Sequence, residues 1–122
     1  MKILVTGGLG HIGSFFLENI SKIKKIKKII IIDDLKRNKI NSIFNITKKN
    51  KKYKFYNIDL SEKRSLNIIE KTDVLLNLAS TTDAEGSLKI RKKIYKNNLG
   101  IFKNVISYCK KNNSNLIHIS ST

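Results

Sequence analysis

Four of the six glycines in this chain fall within one stretch, Thr6-Gly7-Gly8-Leu9-Gly10-His11-Ile12-Gly13. The stretch follows directly on the apolar run Ile3-Leu4-Val5 and opens a segment with helical periodicity. A strand therefore has to end, reverse and hand over to a helix within a few residues. Glycine meets that demand, because a residue without a Cβ accepts tight turns and close backbone approach. A strand feeding a helix through so short a turn is the opening of a βαβ unit, and few folds begin this way.

The rest of the chain continues the alternation. Short apolar runs at 2–5, 29–33, 54–58, 73–78 and 115–120 read as five strands. The second contains four consecutive Ile, stiff and apolar on both faces as a central parallel strand requires. Between the strands lie helical stretches at 11 to about 24, a weaker one around 38–49, one capped by Ser61 and running to about 71, and the longest at 88–111. Ile90, Ile94, Ile101, Val105 and Ile106 give the last of these a core stripe. The segment Lys22–Lys28, with Ile20, Ile23 and Ile26, reads as a core-facing continuation of the first helix rather than a membrane-surface one. There is no Pro, no internal repeat and no linker-like tract, so a single domain over residues 1–122 is expected.

The glycine spacing adds chemistry to this architecture. Gly8, Gly10 and Gly13 satisfy G-x-G-x-x-G, and Gly7, Gly10 and Gly13 satisfy G-x-x-G-x-x-G as well. An early glycine allows the turn, Gly10 lets the backbone approach a diphosphate, and Gly13 lets the helix pack closely on the sheet. The helix N-terminus then turns its free N–H groups and positive dipole end toward the anion. An acid is expected about twenty positions on, at the end of the second strand, and Asp33 stands there. Its carboxylate suits the hydroxyls of an adenosine ribose and repels a 2′-phosphate, so NAD is favoured over NADP. Asp34 can share that role, while Lys36 and Arg37 keep NADP open. The expected fold is a Rossmann-type doubly wound α/β sheet with strand order 3-2-1-4-5. A nucleoside-triphosphatase loop is excluded, because it needs Lys after its last glycine and Gly13 is followed by Ser14.

Composition weighs against other classes. The net charge of +16 invites a nucleic-acid function, but only three of the 25 basic residues are Arg, the residue suited to bidentate phosphate and base contacts. Lys, Ile and Asn together make up nearly half of the chain, and the lysines are spread along all of it. A solvated lysine surface is the simpler account, with no specific nucleic-acid partner. Cys109 is the sole cysteine, which rules out an internal disulfide and fits a reducing compartment, so a cytoplasmic location is expected. No apolar run is long enough to span a bilayer. Cys109, His11 and His118 make no metal site.

With these motifs in order, the chain resembles the extended short-chain dehydrogenase/reductase family, the NAD-dependent epimerases and dehydratases of nucleotide sugars. The opening T-G-G-x-G-x-I-G-S is matched from Thr6 to Ser14, and Asp33-Asp34-Leu35 is similar to the family's D-N-L. Asp59-Leu60 resembles the pair that holds the adenine edge. Asn77-Leu78-Ala79-Ser80 resembles the small-residue turn on the nicotinamide side, with Asn77 in place of His. Asn97 and Gly100 match N-x-x-G on the long helix, and Ser120-Ser121-Thr122 matches the serine run after the fifth strand.

The resemblance implies a cofactor-binding set of Gly7, Gly10, His11, Ile12, Gly13, Asp33, Asp34, Asp59, Leu60, Leu78, Ala79, Ser80 and Asn97, although the turn position of His11 favours packing. It implies that Thr122 supplies the catalytic hydroxyl. It implies a nucleotide-diphosphate sugar as substrate, transient hydride transfer as chemistry, and is compatible with a homodimer of the longer enzyme. The family's Tyr-x-x-x-Lys is missing: four positions after Tyr53, Tyr56, Tyr95 and Tyr108 stand Asn57, Leu60, Leu99 and Asn112. The chain is therefore expected to be an N-terminal portion, cut before the later strands and the substrate domain, that binds cofactor without turnover. A non-catalytic dinucleotide-binding or regulatory module is the alternative.

Overall fold

The computed structural model describes residues 1–36, 50–82 and 88–119. The helix expected around 38–49, together with Arg37 and the Ser120-Ser121-Thr122 run, lies outside them.

Five strands form one parallel sheet: β1 (Lys2–Thr6), β2 (Lys28–Asp33), β3 (Tyr53–Asn57), β4 (Val74–Asn77) and β5 (Asn115–His118). Their order is β3-β2-β1-β4-β5, as expected. Register places Leu4 beside Ile30 and Leu75, and Val5 beside Ile31 and Leu76. Because side chains alternate across a strand, the sheet divides the core in two. Leu4, Ile30, Ile32 and Leu75 face Ile101, Val105, Tyr108 and Cys109 of helix α2 (Leu88–Asn112). Ile3, Val5, Ile29, Ile31 and Leu76 face Leu17 and Ile20 of helix α1 (His11–Ile20). The four-Ile run of β2 is buried throughout, which explains why it is apolar on both faces.

Three expectations need correction. Helix α1 ends at Ile20, not near 24: Lys22, Ile23 and Ile26 donate to carbonyls three residues back, so the chain tightens into turns. Ile20 and Ile26 are buried, whereas Ile23 points to solvent. The segment 61–71 is a run of turns rather than a helix. Ser65, Asn67 and Ile69 again bond three residues back, and Arg64 adopts φ 59°, a left-handed conformation that breaks a helix. Leu66 and Ile69 still reach the core from these turns. In α2, Ile101 and Val105 are buried as expected, but Ile90 is exposed and the stripe continues through Tyr108 and Cys109. Asn113, at φ 53°, ends this helix, and Ser114 N–H donates to Cys109 O at 3.0 Å as in a Schellman cap.

Polar groups tie the amino ends of the strands. Glu70 accepts from Lys2 at 2.8 Å and pairs with Lys28. The Tyr108 hydroxyl donates to Glu70 O at 2.6 Å and lies 3.0 Å from Thr72 Oγ1, while Ser114 Oγ donates to Thr72 O at 2.5 Å.

Candidate functional site

At the carboxyl ends of the strands a cavity of about 440 Å³ opens, within the size range of small-molecule sites. It lies where β1 parts its neighbours, the chain passing to β2 on one side and to β4 on the other. Such a switch point leaves a crevice that flanking loops cannot cover.

The glycine turn forms one wall. Gly7 has φ 66°, and a Cβ there would stand 2.8 Å from the Ala79 backbone. Its N–H donates to Ile32 O at 2.8 Å, which pins the turn to β2. A Cβ on Gly13 would stand 2.5 Å from Gly8 O, so bare backbone is what lets α1 rest on the turn. Gly10 is different. A Cβ there would meet only Gly7 O, at 3.3 Å, and otherwise open space beside the cavity. Gly10 also begins α1 without a side-chain cap, so the first-turn N–H groups have no side-chain acceptor at that position. No acidic residue occupies that turn. The wall is thus uncrowded and electropositive, suited to an anion.

Beside the turn, the end of β2 and the segments after β2 and β3 bring three carboxylates, Asp33, Asp34 and Asp59. Asp33 accepts from Leu9 N–H at 3.1 Å and from Leu35 N–H at 3.0 Å, joining the glycine turn to its own loop. Leu35 is left-handed, at φ 58°, which turns the following residue back over the cavity rim. Lys36 Nζ there lies 3.1 Å from Asp34 and 2.6 Å from Asp59. Asp59 also accepts from Ser61 N–H at 2.9 Å and Ser61 Oγ at 2.6 Å. These bonds, Lys36 first and Ser61 next, hold the Asp59 carboxyl down at about 2, while the two carboxylates raise the Lys36 ammonium. Ser61 is therefore a partner of Asp59 and not the helix cap expected.

The third wall follows β4. Leu78, Ala79, Ser80, Thr81 and Thr82 line it, with Asn97 and Ile101 of α2 behind. Asn98 Oδ1 accepts from Thr81 N–H at 2.8 Å and its Nδ2 donates to Thr81 O at 3.0 Å. Asn97 Nδ2 donates to Thr81 Oγ1 at 2.8 Å. Beneath this wall, buried Asn77 accepts from Thr6 Oγ1 at 2.5 Å and its Nδ2 lies 2.9 Å from His118 Nδ1.

All thirteen residues of the expected cofactor set, Gly7 through Asn97, line this one cavity. His11 is exposed at its edge rather than packed. His118 sits on β5 as expected, where its ring meets Phe102 at 4.9 Å between centroids. Thr122 lies outside the described residues. The cavity adds Leu9, Leu35, Lys36, Ile58, Thr81, Thr82, Ile101 and Ile119. Of these, Lys36 carried a signal in the sequence as a cation next to the ribose-side acid, and Leu35 as the last residue of the D-N-L match.

Strand order and the crevice at the switch point define a Rossmann-type α/β protein. A model of the NAD dependent epimerase/dehydratase family matches residues 3–122, and the chain belongs to that family. Among solved structures it is similar to the UDP-Glc/GlcNAc 4-epimerase of Campylobacter jejuni, with 28% identity and a TM-score of 0.85 over 96% of this chain and 36% of that one. It is similar to the UDP-glucuronic acid 4-epimerase of Bacillus cereus in complex with NAD, with 26% identity and a TM-score of 0.82 over 100% of this chain and 40% of that one. The ADP-L-glycero-D-manno-heptose-6-epimerase of Helicobacter pylori shares the fold, at 22% identity and a TM-score of 0.77 over 99% of this chain and 39% of that one. The chain thus spans well under half the length of these enzymes. A comparison with curated protein sequences finds no match. Among the described residues no helix is long and apolar enough to cross a membrane.

Proposed function

We propose that this chain is the NAD-holding part of an epimerase or dehydratase that acts on a nucleotide-diphosphate sugar. One observation carries the cofactor half: the bare glycine turn and the Asp33 carboxylate line one cavity side by side, the first suited to a diphosphate and the second to a ribose. The donor set fits the cofactor, because a Cβ on Gly10 would meet only one atom beside the cavity. The NAD in the Bacillus cereus relative supports the same reading.

In this reading Gly7, Gly10, His11, Ile12 and Gly13 cradle the diphosphate, and Asp33 with Asp34 accepts from the ribose. Asp59 and Leu60 hold the adenine edge, while Leu78, Ala79, Ser80 and Asn97 border the nicotinamide. NAD, when bound, supplies a hydride acceptor and donor. Thr122 is the hydroxyl that meets the reacting sugar. The substrate class rests on family membership and on the sugar nucleotides named for its relatives. None of the 122 residues forms a Tyr-x-x-x-Lys pair, so this chain alone binds cofactor without turning over sugar.

Titration calorimetry with NAD tests the reading, alongside an epimerase assay with UDP-glucose. Saturable NAD uptake with no sugar turnover is expected. A folded chain that takes up no NAD overturns the cofactor claim, and turnover by these 122 residues overturns the claim of inactivity.

A further inference from the structure

The charges on the rim after β2 are arranged in a way that the fold does not require. Lys36 follows the ribose-side acid by three residues, the kind of place from which a cation can receive the 2′-phosphate of NADP. It is already engaged. Its Nζ lies 3.1 Å from Asp34 Oδ2 and 2.6 Å from Asp59 Oδ2, bridging loops 23 residues apart in sequence. Asp34 also accepts from the Lys36 backbone N–H at 3.1 Å, which fixes where that side chain starts. Asp33, next to this group, completes three carboxylates against one ammonium among the described residues lining this end of the cavity.

We infer that Asp34, Lys36 and Asp59 form an ionic bracket over the ribose end of the cavity that selects against a dinucleotide carrying a 2′-phosphate. The inference rests on the proposal that the cavity takes a dinucleotide and adds the group that sets which one. Asp33 alone leaves a nearby cation free to reward the phosphate; the bracket removes that reward by saturating the cation. A dianionic phosphate entering here has to compete with two carboxylates for the Lys36 ammonium. NAD would bring no charge to this end, its diphosphate being held by the glycine turn.

The bracket makes predictions of opposite sign for two neighbouring residues. Asp34→Asn keeps the oxygen that accepts from Lys36 N–H but removes a charge and one of the ammonium's two carboxylate partners. Its affinity for NADP relative to NAD should rise roughly tenfold, the scale of one partly screened charge at close range. Lys36→Met leaves the carboxylates uncompensated, and the same ratio should fall roughly tenfold, more at low salt than at high salt. General loosening of the loop would weaken both dinucleotides and move both variants the same way.

The experiment is titration calorimetry of the full chain and the two variants with NAD and NADP at low and high salt, with circular dichroism confirming the fold. Opposite shifts in the NADP-to-NAD ratio support the bracket. If the parent chain binds NAD but the ratios stay unchanged, or move together, the bracket is wrong and the cofactor proposal stands. If the folded parent chain binds neither dinucleotide, both fall.

Discussion

Gly13 and Gly8 meet backbone to backbone: a Cβ built on Gly13 would stand 2.5 Å from the Gly8 carbonyl oxygen and 2.7 Å from its Cα. Nothing flexible lies in the way, so the clash has to be relieved by moving α1 off the turn. Gly13→Ala should therefore cost about 2–4 kcal/mol of stability in chemical denaturation, at or above the usual range for overpacking. Gly10→Ala should cost about 1 kcal/mol or less, since its Cβ would meet only one atom, at 3.3 Å, and Gly10 begins the helix. That variant should instead lose dinucleotide affinity, because the added methyl lies beside the cavity. Equal stability losses in the two would contradict this division.

Asn77 is the buried link of a polar chain from Thr6 through Asn77 to His118. Removing its amide strands the Thr6 hydroxyl among apolar neighbours. Asn77→Ala should destabilise by about 2–3 kcal/mol, from an unpaired buried donor plus lost volume. Adding Thr6→Val should recover part of that loss in a double-mutant cycle. Strict additivity of the two substitutions would show that the Thr6–Asn77 bond carries no coupling.

Asn98 grips Thr81 by both backbone groups but is not itself among the residues lining the cavity. Asn98→Ala should leave sheet stability within about 1 kcal/mol, as for loss of a partly exposed hydrogen bond. The Thr81 amide should then exchange with solvent at least tenfold faster, and NAD affinity should drop with it. Unchanged protection at Thr81 would remove Asn98 from any positioning role.

Among the described residues two acids with lowered values shape the response to low pH. Asp59 is held at about 2, below its ordinary 3.8, chiefly by Lys36, and Glu70 at about 2, below 4.5, chiefly by Lys2. Depressed acids stabilise the fold in full above their unfolded values and lose that contribution as pH falls toward the folded ones. Stability should thus be flat from neutral pH to about 5 and decline between about 4.5 and 2. Lys2→Met should shallow that decline, because Glu70 then titrates nearer its unfolded value. An unaltered slope would show that the Lys2–Glu70 pair does not contribute.

The sheet could be read in the sequence because each strand announces itself locally. The Ile run of β2 and the glycine turn after β1 have few structural alternatives, and the acid-bearing ends of β2 and β3 follow from them. The misread segments are those where turn chemistry competes with helical spacing or where distant contacts decide. Residues 61–71 have helical spacing, yet Asp59 captures Ser61 and Arg64 turns left-handed, so Leu66 and Ile69 reach the core by turns. The Lys36–Asp59 contact joins two loops across 23 residues and the Asn98–Thr81 contact joins a helix to a loop across 17, and no local pattern encodes them. Ile90 fits the helix period but is exposed, so the period alone does not tell which end of α2 packs on the sheet.

The knot of Glu70, Thr72, Tyr108 and Ser114 belongs to the end of the sheet farthest from the crevice. Foundation and mouth are consequently separate provinces of the molecule, one securing strand alignment and the other free to vary its chemistry. A chimaera given another relative's mouth residues should retain its melting temperature while changing what it admits.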